Sequence, residues 1–331
     1  MHRLLPLLLV LSLFVSCRPE PHTQRDIYVV SVADDFYGYN GSSRRLENVI
    51  TDQGALISQL MTLGDVKVHA FLSEKGERYF SSSPRFIPVD KNGTELPDAL
   101  RPSFHGFSFS PQNGDKKMDW TMKDVLEELL SIPSQGNDLV FFLYSGHGDK
   151  GTGNLLTNGD PHSTLYETMG VGNILDVLEV VGGRKILFID ACYSGFFQPQ
   201  NSISSVDTFL DDSKSFWDHY SLESTWKEAW KPVIDTNREN LWILTSASTG
   251  QEALDSADYG DSPYQKSYGA FTYYLLRALG YDTDQNRAKK KQGRMTFCSL
   301  YEEIRRSYPW ELLVQQTPCS SRSGIDIVLS D

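Results

Sequence analysis

The chain has 331 residues and a net charge of −12, and 40% of its residues are hydrophobic. That composition belongs to a globular protein and excludes a disordered, collagenous or polytopic membrane chain. An acidic balance also argues against nucleic acid or an anionic membrane surface as the main partner, because a phosphate-binding face needs clustered Lys and Arg.

Residues 1–16 place Arg3 ahead of the apolar stretch LLPLLLVLSLFV and end at Val15-Ser16, directly before Cys17. A stretch of this length is the core of a signal peptide and is too short to span a bilayer. Small residues before a Cys resemble the lipobox of bacterial lipoproteins, with Phe14 where Leu is usual. The expectation is therefore export to the cell envelope, on the periplasmic side or the cell surface, with a lipid on Cys17 as the sole membrane contact. Residues 17–25 then read as a tether.

Four buried strands follow from near-continuous apolar, β-branched runs: IYVVSVA at 27–33, DLVFFLY at 138–144, KILFID at 185–190 and LWILTSA at 241–247. Runs without polar alternation belong to strands covered on both faces. A further strand is expected at residues 66–72. Helical spacing marks Leu46, Val49, Ile50, Ile57, Leu60 and Met61, then Met122, Val125, Leu126 and Leu129 with Thr121 as N-cap. Two more amphipathic runs occupy 171–181 and 268–279. Alternating strand and helix implies a mostly parallel sheet in a three-layer α/β/α sandwich, a single domain over 26–331. Insertions at about 76–118 and 198–238 are rich in polar and turn residues, and long loops of this kind are functional or flexible.

Chemistry in an open α/β sheet collects beyond the carboxyl ends of the strands. LVFFLY is followed at once by Ser145-Gly146-His147-Gly148, and KILFID by Ala191-Cys192-Tyr193-Ser194-Gly195. The two loops leave the same edge, which brings His147 to Cys192. An imidazole beside a thiol takes its proton during attack and returns it to a leaving amine. The amides of Gly148 and Cys192 suit an oxyanion. Of the four cysteines, Cys298 and Cys319 leave a disulfide open and Cys192 stands as a lone thiol. No metal or cofactor is expected, although the sequence is silent on calcium.

FFLYSGHG and ILFIDACYSGFF resemble the His and Cys motifs of the caspase-like cysteine peptidases, closest to metacaspases and their bacterial relatives, with legumain, clostripain and gingipain on the same plan. Residues 46–52 (LENVITD), ILTSASTGQEALD, YGAFTYYLLRAL and Gln316-Thr317-Pro318 are similar to flanking motifs of that family. Residues 31–37 (SVADDFY) depart from its first-strand pattern. The resemblance implies a caspase-like fold and cleavage of protein or peptide substrates through an acyl-enzyme. It implies that Asp52, Ser145 and Asp190 line an acidic pocket for Arg or Lys. A strand-end carboxylate capping its turn is the alternative for Asp190, and a polar helix-surface residue the alternative for Asp52. No Arg lies beside either motif, which argues against cleavage after Asp. Ser246, Ala247 and Ser248 would pair with the substrate backbone, and Lys214 in DDSKS is the expected self-processing site. A transamidase using the same dyad, or a lipid-anchored binding module on the same scaffold, are the competing functions.

Overall fold

Each residue of a strand points to the side opposite its neighbours, so a strand apolar throughout can exist only between two covering layers. The computed structural model has that arrangement. It describes residues 25–35, 46, 48–72, 103–105, 107–109, 116–118, 120–157, 167–198, 234–235, 238–256, 268–313, 315–323 and 325–330. The signal peptide, Cys17, most of the tether and Lys214 lie outside the described residues.

In chain order the elements are β1 (Ile27–Ala33), α1 (Val49–Met61), β2 (Val66–Leu72), β3 (Ser103–His105), β4 (Phe107–Phe109), β5 (Lys116–Met118), α2 (Met122–Ser131), β6 (Leu139–Ser145), β7 (Leu155–Thr157), β8 (Glu167–Met169), α3 (Val171–Val180) and β9 (Arg184–Asp190). They continue with β10 (Ile234–Asp235), β11 (Leu241–Thr245), α4 (Ala270–Leu279), β12 (Met295–Thr296), α5 (Phe297–Ser307), α6 (Trp310–Leu313), β13 (Cys319–Arg322) and β14 (Val328–Ser330). Eight strands form one sheet in the order β10-β13-β11-β9-β6-β1-β2-β3. Among the described residues, the one antiparallel pair within it is β13 against β11.

Along β6 the side chains alternate between two cores. Leu139, Phe141 and Leu143 join α1, α4 and α5 on one face. Val140, Phe142 and Tyr144 join α2 and α3 on the other. Burying each of these side chains contributes about 1.5–3 kcal/mol, so a shift of register by one residue is strongly disfavoured. The expected three-layer α/β/α sandwich is therefore the observed one.

Local chemistry fixes the helix ends that matter. Thr121 Oγ1 accepts the Asp124 N–H at 3.3 Å, and the Asp124 carboxylate takes the Thr121 N–H at 2.6 Å, closing a capping box on α2. Trp120, just ahead of it, donates its indole N–H to Leu72 O at 3.1 Å and so ties α2 to the end of β2.

The two insertions hold more order than expected. The first contains β3, which extends one sheet edge beside β2, and the β4/β5 hairpin. The second contains β10, which pairs with β13 at the other edge. At two or three residues, these strands are too short to show a period in the sequence.

Phe142 is fully buried between α2, α3 and the sheet. Phe142→Ala should lower the unfolding free energy by about 3–5 kcal/mol in a chemical denaturation series, with an unchanged slope.

Candidate active site

Ser145 and Asp190 are register partners at the ends of β6 and β9, so the loops that follow leave the sheet at one level. Gly146 N–H donates to Asp190 O at 3.1 Å, tying the first step of one loop to the last residue of the other strand. A Cβ on Gly148 would lie 1.9 Å from Cys192 O, a distance no side chain tolerates. Only glycine lets the two backbones meet there. His147 and Cys192 consequently line one open cleft, together with Asp52, Ser145 and Asp190.

Behind the thiol the chain makes a tight turn. Tyr193 takes a left-handed conformation at φ 56°, its N–H donates to Gln251 O at 2.8 Å, and its hydroxyl donates to the Glu252 carboxylate at 3.0 Å. A non-glycine residue in this region is costly and persists where neighbours hold it, a common feature of active-site turns. Cys192 Sγ accepts the Ala253 N–H at 3.3 Å. Burial pushes the thiol above its usual range, the charges of Glu252 and Asp190 add to this, and the Ala253 N–H opposes it. Among the described residues no backbone carbonyl takes the Gly148 or Cys192 N–H.

The cleft is acidic. Gly269 N–H donates to both oxygens of Asp52, at 3.0 and 3.2 Å. A Cβ on Gly269 would sit 2.9 Å from Asp52 Oδ2 and 3.0 Å from Asp190 Oδ2, so the two carboxylates flank one glycine. Thr272 donates its hydroxyl to Asp190 Oδ2 at 2.7 Å. Both groups are buried. Desolvation raises Asp190 to about 6 against opposing hydrogen bonds from Thr272 and Ser246. Asp52 stands well above the usual carboxylate range, first through desolvation and then through the charges of Asp190 and Asp255. Asp255 also lines the cleft, where Asn48 N–H donates to its Oδ1 at 3.2 Å. Sequence reasoning missed it, although it closes the ILTSASTGQEALD run already singled out.

Ser246, Ala247 and Ser248, expected to pair with a substrate backbone, are buried beside the nucleophile turn. Their N–H groups are taken by Ile189 O, Ser194 Oγ and Gln251 Oε1. Ser246 Oγ accepts the Ala191 N–H at 3.1 Å, which supports the residue next to Cys192. Further along the same segment, Ala253, Leu254 and Asp255 line the cleft. That wall is anchored from the C-terminal region: Gln251 Oε1 accepts the Thr317 N–H at 2.7 Å and Gln316 Oε1 accepts the Leu254 N–H at 2.9 Å. The Gln316-Thr317-Pro318 segment thus has a physical task.

Cys298 and Cys319 are both free thiols. The Arg322 guanidinium lies 2.9 Å from Cys298 Sγ, while Cys319 donates to Thr317 O at 3.4 Å. Among the described residues no group of three or more His, Cys, Asp or Glu side chains is arranged to hold a metal ion.

The caspase domain family matches residues 96–326, so the chain belongs to that family of cysteine-type peptidases. No curated protein matches it. Among solved structures it is similar to a protein from Geobacter sulfurreducens at 16% identity and a TM-score of 0.43, over 91% of this chain and 94% of that one. It is also similar, at 12% identity and a TM-score of 0.31, to a secreted C11 cysteine protease from Bacteroides thetaiotaomicron in complex with an irreversible peptide inhibitor. That match covers 79% of this chain and 56% of that one. The assignment rests on the family match.

Two outcomes follow from this geometry. Gly148→Ala must push the two loops apart and should lower kcat/KM by ~100-fold with the circular dichroism spectrum unchanged. Asp190 has a folded pKa of about 6 against an ordinary 3.8, so the folded state binds its proton more tightly than the unfolded chain. Its ionisation therefore removes stability as pH rises from about 4 to about 6, by roughly 3 kcal/mol. Asp190→Asn should remove that part of the decline in a pH series of denaturant midpoints.

Proposed function

We propose that the protein is an endopeptidase cleaving after Arg or Lys, with Cys192 as nucleophile and His147 as the acid and base. The observation that carries the specificity is the pair of buried carboxylates, Asp52 and Asp190, on either side of Gly269 at the floor of the cleft. A guanidinium or ammonium entering there recovers the ionised state that burial penalises, so the pocket gains most from a cation. An Asp side chain would add a further negative charge and be repelled.

The chemistry follows from the thiol's environment. Burial holds Cys192 protonated in the resting enzyme. The imidazole of His147 takes that proton as Sγ attacks the scissile carbonyl, and the Gly148 and Cys192 N–H groups receive the developing oxyanion. The C–N bond then breaks, imidazolium gives its proton to the leaving amine, and a thioester remains. Water, deprotonated by the same imidazole, hydrolyses the thioester and releases the thiol. Transfer to an amine in place of water would use the same intermediate.

The exported, lipid-anchored state is part of this proposal, through Cys17, and protein or peptide substrates would then be met outside the cytoplasm. Lys214, of the residue type the pocket accepts, is the proposed site of self-cleavage.

Cys192→Ala should abolish turnover of Arg and Lys peptides, and His147→Ala should lower it by several orders of magnitude. The double variant should resemble the worse single one. Asp190→Ala should cost at least ~2 kcal/mol in kcat/KM for such peptides. A positional peptide library on purified residues 24–331 checks the preference, and a profile led by Asp or Asn would contradict it. Benzamidine, a guanidinium analogue, should bind more tightly as pH rises through about 6, where Asp190 ionises, and lose that dependence in Asp190→Asn.

A further inference from the structure

Tyr144 is the penultimate residue of β6 and is fully buried on the α2/α3 side of the sheet. Its hydroxyl lies 2.8 Å from His147 O and 2.5 Å from Leu156 O, and it accepts the Leu156 N–H at 3.2 Å. Leu156 N–H also donates to His147 O at 3.0 Å. One phenol therefore joins the backbone of the His loop to β7, the strand that follows it. The turn folds around this group: a Cβ on Gly146 would lie 2.6 Å from the Tyr144 hydroxyl oxygen.

Packing alone does not explain the phenol. Phenylalanine would fill the same apolar space, and a buried hydroxyl is costly unless its hydrogen bonds are made. Among the described residues its hydrogen-bond contacts fall on the two segments that set the height and direction of the His147 loop, and none falls on the Cys192 turn. Burial raises the phenol well above its ordinary range, and the nearby titratable groups Asp34 and Cys192 act in the same direction. It consequently stays a proton donor across the working pH range. Misplacing a general base by about 1 Å is enough to cost ~100-fold in rate.

We propose that Tyr144 is a positioning residue for His147, its hydroxyl pinning the backbone of the His loop to β7 so that the imidazole meets the Cys192 thiol. This inference rests on His147 acting as the acid and base.

The test is Tyr144→Phe, measured for kcat and KM on an Arg peptide with the melting temperature followed in parallel. The expected result is a ~10- to 100-fold fall in kcat with KM within two-fold and the protein still folded at the assay temperature. In the His147→Ala background the same change should have no further effect on residual turnover. Wild-type kcat in Tyr144→Phe, a loss carried by KM alone, or an equal further loss in the His147→Ala background would overturn the inference. If Tyr144→Phe fails to fold, Gly146→Ala, which presses on the same hydroxyl, should show the same fall in kcat, and wild-type kcat there would overturn it. Failure of His147→Ala to reduce turnover would instead remove the dyad reading itself, so the two failures are distinguishable.

Discussion

The site depends on one close approach, the backbone of Gly148 against the carbonyl of Cys192, where there is no room for a single methyl group. That approach follows from sheet register. Because Ser145 sits opposite Asp190 in a parallel pair, the loops after β6 and β9 start at the same height and cross over the same edge. The register is in turn held by two cores, since a one-residue slip would exchange every side chain between the α1/α4/α5 face and the α2/α3 face. Fold stability and the placing of His147 and Cys192 on one cleft are thus the same requirement seen at two scales.

Around that contact the molecule accumulates groups that burial disfavours. Asp52 and Asp190 are buried carboxylates whose ionised forms are penalised, and the thiol is pushed up beside them. A structure selected for stability alone would replace such groups with apolar ones. Their partners are arranged to limit the cost: Gly269 N–H on Asp52, Thr272 on Asp190 and Ala253 N–H on the thiol. Under the proposed specificity the remaining cost would be removed when a cation enters the cleft, which would turn a destabilised resting site into selectivity for a basic side chain.

Much of this was legible in the sequence because it depends on local pattern. The runs at 27–33, 138–144 and 185–190 carry enough β-branched and aromatic residues to be strands on any reading, and residues placed directly after two of them must share an edge. Asp255 was not legible, since its place in the cleft depends on Gln251 meeting Thr317 and Gln316 meeting Leu254 across more than sixty residues of chain. The burial of Ser246 was not legible for a related reason: its role as a support for Ala191 comes from a hydrogen bond across 55 residues of chain. β13 hid because CSSR is short and polar, and only its position between β10 and β11 makes it a strand.

The central claim is that one thiol of the chain, Cys192, reacts within a pocket made for a basic side chain. Labelling with a peptidyl chloromethyl ketone ending in Arg, followed by peptide mass spectrometry, tests both parts at once. The account predicts a single adduct on Cys192, formed much faster than with the matching Asp reagent and slowed by Asp190→Asn. Preferential labelling of Cys298 or Cys319, or faster reaction with the Asp reagent, would contradict it.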